Sequence, residues 1–233
     1  MRKKTFCSAL AHAGAYLVSI AVLLGLWHLA AVVISSPALP TPGATVAVFR
    51  EYVPDLAPAF AVSLYRVLAS LGIASVLAVP AGLALGRSPR LDAAVSPALH
   101  VLYPIPKVVL LPVFLVLLGL GDAAKIALMS VTVFFQVLVS VRDAAACVPR
   151  ESILAARSLG AGRVVTCLHV VVPAVMPELF TALRIGSGTA VAILFLAESI
   201  AGFAGMIGMA VLGVGIYEVL ALVERLLTPW RRA

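Results

Sequence analysis

Charged residues are scarce in this chain. They make up 12% of its 233 residues, whereas roughly a quarter is usual for a soluble domain. Apolar residues make up 63%, and the mean hydropathy is +1.14. A globule of this size cannot bury so much apolar surface, so lipid must solvate a large part of it. The composition excludes an ordinary soluble protein and predicts an integral membrane protein.

Lysine is scarcer still, because it occurs only as Lys3, Lys4, Lys107 and Lys125. None of these follows a glycine, so the chain lacks the Gly-Lys pair of a phosphate-binding loop. We therefore expect no ATP binding of that kind, no cofactor and no enzymatic activity, and we assign no catalytic residues.

Other kinds of site also lack their residues. Cys7, Cys147 and Cys167 have no ligand-like spacing, which favours reduced thiols over a metal site. The net charge of +7 lies at the ends of apolar runs, as expected of topogenic charge and not of a nucleic-acid partner. An ion-coupled secondary transporter is the main alternative mechanism, but it should show acids or histidines in mid-span, and none is evident.

The apolar runs predict an all-α, polytopic bundle of about six transmembrane helices. A third helix, from Leu91, is interrupted by prolines and ends at Gly119–Asp122. The other predicted spans are Ala13–Ile34, Val62–Gly86, Ala124–Val141 and two within Leu179–Leu222, joined by a tight turn near Ala201–Gly205.

The first run also resembles a secretory signal, because it follows Arg2, Lys3 and Lys4. Its 22 residues without Asp, Glu, Lys or Arg exceed the apolar part of a signal, which favours an uncleaved span. With the N-terminus inside, twelve Lys and Arg residues fall on the inner side, and at most three on the outer side: Arg50, with Arg66 and Lys125 near its edge. This asymmetry predicts a multi-pass protein with both termini cytosolic.

A basic, cytosolic insert separates the fourth and fifth spans, and we place it at residues 143–177. Pro149 can begin a helix there and Gly160 can end it. Ala155, Ala156 and Leu159 would share one face of low relief, suited to close contact with a partner. We expect a second short helix, at an angle, after Gly162. An amphipathic segment lying on lipid headgroups fits the same residues.

The wider pattern of the insert resembles the docking loop of permease subunits of ATP-binding-cassette (ABC) importers. That motif reads Glu-Ala-Ala, three residues, Gly, nine residues, then Ile-x-Leu-Pro. Its positions are held here by Ala155, Ala156, Gly160, Val170, Val172 and Pro173. Leu154 takes the place of the glutamate, and Glu151 lies one turn earlier.

Shorter segments are similar to the nitrate, sulfonate and taurine branch of these importers. In chain order they are Leu39-Pro-Thr-Pro-Gly43, Ser63-Leu-Tyr-Arg66, Pro104-Ile-Pro-Lys107, Gly119-Leu-Gly-Asp122 and Leu183-Arg-Ile185. Members usually carry a longer segment between the fifth and sixth spans than this chain has after Glu198. A degenerate or non-transporting subunit is therefore an alternative.

The resemblance implies a type I importer permease of a bacterial inner membrane, with residues 1–233 forming one transmembrane domain and 143–177 its coupling loop. It implies a separate cytosolic ATPase, an extracytoplasmic substrate-binding protein, a second permease subunit that forms a homodimer, surrounding lipid and a small, anionic solute. The ATPase-coupling residues would be Glu151, Leu154, Ala155, Ala156, Leu159, Gly160, Val170, Val172 and Pro173.

Lys107, with Pro104 and Pro106, is a candidate for the solute pathway, because an intramembrane charge is costly and often functional. Lys107 could instead extend to the interface or pair with an acid such as Asp92.

Overall fold

The computed structural model describes residues 2–36, 39–119, 121–199 and 206–229, and regular structure in these ranges is helical throughout. The chain divides into two compact units, Met1–Ala57 and Pro58–Ala233. The α-helices are α1 (Arg2–Ile34), α2 (Pro42–Arg87), α3 (Pro89–Leu102), α4 (Leu111–Leu118), α5 (Asp122–Ala146), α6 (Arg150–Ser158), α7 (Arg163–Thr166), α8 (Val172–Ser199) and α9 (Met206–Leu227). A 3-10 helix, Lys107–Leu110, precedes α4, and a π-helical turn, Cys167–Val171, precedes α8.

In the first unit, α1 ends at Ser35, whose φ of 47° leaves the right-handed helix. The Ser35 hydroxyl donates to the carbonyl of Val32 at 2.6 Å, and Trp27 Nε1 donates to the carbonyl of Pro40 at 3.1 Å. The segment Leu17–Ile34 is apolar enough to cross a membrane and almost wholly exposed, as expected of a helix whose solvent is lipid.

In the second unit, α5 packs against α8, and α8 packs against α9. The buried residues of α5 recur at helical spacing, as Leu128, Met129, Val133, Val137 and Val141. Large apolar residues elsewhere, such as Val116 and Leu117, are mostly exposed. A packed inner stripe and an apolar outer surface are typical of a membrane bundle.

Within the described ranges, four helical segments are long and apolar enough to span a membrane: Leu17–Ile34, Ala57–Arg87, Asp122–Ala146 and Arg163–Glu198. A bent pair, Pro89–Leu102 with Lys107–Leu118 at 81°, would be a fifth, as the prolines predict. The sixth predicted span falls on α9, whose 22 residues reach about 33 Å. The tight turn predicted near 201–205 lies outside the described residues.

Two glycines bring α2 against α5. A Cβ at Gly86 would lie 2.3 Å from the carbonyl oxygen of Arg142 and 2.8 Å from Cβ of Ala145, and one at Gly82 would lie 2.9 Å from the carbonyl oxygen of Leu138. Their four-residue spacing places both on one face of α2. This is the small-residue contact by which membrane helices approach closely, and the sequence analysis missed it.

We predict that Gly86→Ala lowers stability, because the new methyl group must displace backbone of α5. Overpacking of this kind costs about 1–3 kcal/mol, and the readout is the melting temperature of the purified chain in detergent. Gly72→Ala is the matched control on the same helix, since a Cβ at Gly72 meets nothing within 4 Å. Equal melting temperatures for the two variants would contradict the close contact.

Candidate functional site

The predicted start and end of the insert helix are confirmed. Pro149 lies just before α6, and Gly160 follows it with a φ of +87°. The N–H of Gly160 donates to the carbonyl of Arg157 at 2.9 Å, and that of Ala161 donates to the carbonyl of Ala156 at 3.1 Å. These two bonds form a Schellman motif, which satisfies the last carbonyls of the helix and requires a left-handed residue at Gly160.

The two sides of α6 differ in burial. Ile153 is 7% exposed and packs into the core of the second unit. Leu154 is 63% exposed and Leu159 88% exposed, and Glu151 and Ala155 are exposed as well, while Ala156 is half-buried. The helix therefore attaches through Ile153 and leaves uncovered an apolar strip made by Leu154, Ala155 and Leu159.

The expectation of a second short helix after Gly162 is wrong. Helical structure begins at Arg163 and runs through the π-helical turn into α8, so that Arg163–Glu198 is one candidate span of 36 residues. Continuity arises because the turn accommodates Pro173, which has no N–H and would crowd the carbonyl of His169 in a regular helix. Val170, Val172 and Pro173 are half-buried and lie at the start of α8, away from α6 in sequence.

Lys107 lies at the bend between α3 and α4 and is buried. Its Nζ donates to the carbonyl of Leu102 at 2.8 Å and also to the carbonyl of Tyr103. The ammonium lies 4.8 Å from the ring centre of Phe135 and 5.5 Å from that of Tyr103. Its positive charge is thus held by carbonyl dipoles and aromatic faces, and it has no carboxylate partner in the described part of the chain.

A cavity of about 420 Å³ opens beside this bend. Pro104, Pro106 and Lys107 line it together, so the three predicted pathway residues share one surface. From α5 and α8, the polar residues Thr132, Gln136 and Thr189 line it beside apolar ones: Phe135, Ala192, Ile193 and Leu196. Gln136 Nε2 donates to Thr189 Oγ1 at 3.2 Å.

The suggested pairing of Lys107 with Asp92 is wrong, because Asp92 pairs with Arg142. Arg142 Nε lies 2.5 Å from Asp92 Oδ1, and its Nη2 donates to Ser96 Oγ at 2.9 Å. Asp92 and Ser96 are four residues apart on α3, so one face of that helix holds the guanidinium. This contact ties α3 to the end of α5, which continues to Ala146 beyond the predicted end at Val141.

At the opposite end of α5, four charged side chains from three helices form the Arg66 cluster: Arg66, Asp122, Lys125 and Glu198. Arg66 Nη2 lies 2.5 Å from Asp122 Oδ1, and Arg66 also pairs with Glu198. Lys125 Nζ lies 3.5 Å from Glu198 Oε1. The sequence analysis placed Arg66 and Lys125 near the outer edge and missed the cluster.

A further ion pair joins α8 to α9. Arg184 pairs with Glu224, and its guanidinium lies 5.1 Å from the ring centre of Tyr217. Among the described residues, no three His, Cys, Asp or Glu side chains come together as metal ligands would.

Residues 75–222 match the family described as binding-protein-dependent transport system inner membrane component. The match covers more than half of the chain, including the bend at Lys107, the insert and the end of α8. The chain belongs to this family.

Curated relatives agree with that assignment. This permease is 30% identical over 190 residues to the taurine transport system permease protein TauC of Escherichia coli (strain K12), covering 73% of this chain and 69% of the relative. It is 26% identical over 237 residues to SsuC of Bacillus subtilis (strain 168), a transport permease named for aliphatic sulfonates, covering 91% and 86%. It is 28% identical over 144 residues to the nitrate import permease protein NrtB of Synechocystis sp. (strain ATCC 27184 / PCC 6803 / Kazusa), covering 62% and 52%.

The resemblance found in the sequence is therefore confirmed at the level of the branch. The protein is a transport permease of an ABC importer system and a multi-pass component of the inner membrane. Its family is a transport component and not a family of enzymes. The description of the family makes transport dependent on a binding protein, which sets aside the ion-coupled alternative.

We predict that Arg66→Met destabilises the permease, because it leaves Asp122 and Glu198 with Lys125 as their one remaining cation in the cluster. The loss should be about 2 kcal/mol, between that of an exposed pair and that of a buried one, measured from thermal unfolding in detergent. Arg90→Met is the control, since Arg90 is exposed and has no ion-pair partner among the described residues. An equal effect of the two substitutions would show that the cluster adds nothing.

Proposed function

We propose that this chain is the subunit through which a separate cytosolic ATPase drives import, and that the ATPase docks on α6. The observation that carries the proposal is the apolar strip of Leu154, Ala155 and Leu159, exposed on a helix that is anchored through Ile153. An exposed apolar surface on a short, otherwise polar helix is typical of a site where a partner protein binds. The strip also coincides with the docking motif of the family.

The Schellman motif at Gly160 supports the same role. It fixes the end of α6 by local hydrogen bonds, so that α6 can move as a rigid element with the ATPase that docks on it. Glu151 lies in the first turn of α6 and Arg157 in the last, and both charges stabilise the helix through its dipole. A movement of α6 would reach the bundle at the base of α8. The coupling residues in that region are Val170, Val172 and Pro173.

We further propose that two copies of the chain enclose the path of a small, anionic solute and that the cavity at Lys107 lines it. Sulfonate and nitrate groups, after which the relatives are named, carry negative charge. Lys107 has three N–H donors and gives two of them to carbonyls, which leaves one for an anion. The orientation that follows places both termini and α6 in the cytosol and a binding protein on the other side.

Cross-linking tests the docking of the ATPase on α6. In a chain without native cysteines, Ala155→Cys and Ser158→Cys should cross-link to the co-expressed ATPase in an ATP-dependent way. Ile153→Cys is the matched control on the buried side of the same helix and should not react. Cross-links that are absent from a folded complex, or equal at all three positions, would contradict the docking and favour a degenerate subunit.

We predict that Gly160→Val uncouples ATP hydrolysis from transport, because a β-branched residue resists the left-handed conformation at a cost of about 1–2 kcal/mol. Substrate-stimulated ATPase activity of the reconstituted complex should fall several-fold. Gly160→Asn should be milder, and Gly162→Ala should have no effect, since Gly162 has a φ of −67° and open space around it. A Gly160→Val complex with normal stimulation would exclude a need for this break.

For the pathway, we predict that Lys107→Gln lowers uptake of labelled taurine at least tenfold in proteoliposomes that also hold the ATPase and binding protein. Glutamine keeps an N–H donor for the carbonyls of the bend but removes the charge. Unchanged uptake by a stable Lys107→Gln variant would restrict Lys107 to a structural role. Taurine that fails to stimulate the wild-type complex would direct the same assay to nitrate and other sulfonates.

A further inference from the structure

A second pocket, of about 620 Å³, lies beneath α6 and is lined by residues of α2, α6 and the helical run that begins at Arg163. Three arginines are among the lining residues: Arg87, Arg157 and Arg163. No Asp or Glu side chain lines it. We call it the arginine pocket.

The charges of the arginine pocket are largely uncompensated. Arg87 Nη1 donates to the carbonyl of Ala145 at 3.2 Å, which uses one of its five N–H donors. Arg157 and Arg163 are exposed, and their guanidinium groups have no hydrogen-bond or ion-pair partner among the described residues. Three forked cations without an acid form a site that favours a phosphate group.

The arginine pocket also has an apolar floor, to which Leu83, Ile153 and Val171 contribute. Ile153 and Arg157 are four residues apart on α6, so Arg157 points to the attached side of that helix and away from the exposed strip. The pocket is therefore separate from the surface proposed for the ATPase. Cations beside apolar side chains at the end of transmembrane helices are suited to a lipid. The cations would bind its headgroup phosphate, and the apolar side chains would contact its acyl chains.

We propose that the arginine pocket binds the phosphate of an anionic phospholipid of the inner leaflet. This rests on the proposed function in one respect, namely that α6 lies on the cytosolic side. A bound phosphate would join Arg87 at the end of α2 to Arg157 of α6 and Arg163 at the base of α8. The lipid would thus brace the helix that receives the ATPase.

The test is a titration of the purified full chain in detergent with phosphatidylglycerol and, separately, phosphatidylcholine, with bound lipid counted by native mass spectrometry. Phosphatidylglycerol should bind more tightly. The double variant Arg157→Gln/Arg163→Gln should weaken it about 30-fold, at about 1 kcal/mol for each basic residue near the membrane surface. The control Arg90→Gln/Arg150→Gln removes two exposed arginines outside the pocket and should change binding little.

Two further measurements test the role of the positive charge and the identity of the bound molecule. Arg157→Lys/Arg163→Lys keeps the charges and should retain most of the binding. Inorganic phosphate and glycerophosphoglycerol supply the anion without acyl chains and should compete poorly. If the Gln variant and the control lost phosphatidylglycerol binding equally, or if the chain bound both lipids with equal affinity, the arginine pocket would not be the lipid site. Full competition by the soluble phosphates would show that the occupant is not a lipid. Lipid binding without the Ala155→Cys cross-link would refute only ATPase docking, whereas the reverse result would refute only the lipid site.

Discussion

Within lipid, every backbone N–H and C=O group must find its hydrogen-bond partner in the protein. The architecture of the second unit depends on how the backbone groups are satisfied where a helix breaks. At the bend after α3, the carbonyl of Leu102 accepts from the N–H of Ile105 at 3.3 Å and also from the ammonium of Lys107. The same ammonium donates to the carbonyl of Tyr103. The bend and its cation are therefore coupled. A cavity formed by the break acquires a positive wall as a direct consequence, before any solute is considered.

Two other breaks, before Pro173 and at Gly160, satisfy their backbone groups without a charged side chain. Before Pro173 the helix widens into the π-helical turn and continues into α8. At Gly160 the backbone closes on itself through bonds to Arg157 and Ala156. Under the proposed function, the bend at Lys107 lines the solute pathway, the turn before Pro173 keeps the run from Arg163 to Glu198 continuous, and the break at Gly160 separates α6 from that run. Each form of break would then suit a different part of a coupled transporter.

Features set by local chemistry could be predicted from the sequence, and features set by distant partners could not. Proline and glycine around α6 gave its ends, because capping involves residues a few positions apart. α5 continues past Val141 to Ala146, and Arg142 in this extension pairs with Asp92, about fifty positions away. The partners of Arg66 and the contact of Gly86 with α5 were missed for the same reason. Lys107 lies in the proline-interrupted segment that the sequence indicated, but its partners are carbonyls in place of the suggested acid.

The two ends of the bundle treat their charges differently, and this bears on orientation. In the Arg66 cluster two cations meet two carboxylates, so the cluster is neutral as a whole. In the arginine pocket three cations meet no acid. Two of the three basic residues that the predicted orientation counts on the outer side, Arg66 and Lys125, pair with carboxylates within the protein. Positive charge without an internal partner is what anionic headgroups attract, and the end that carries α6 has it.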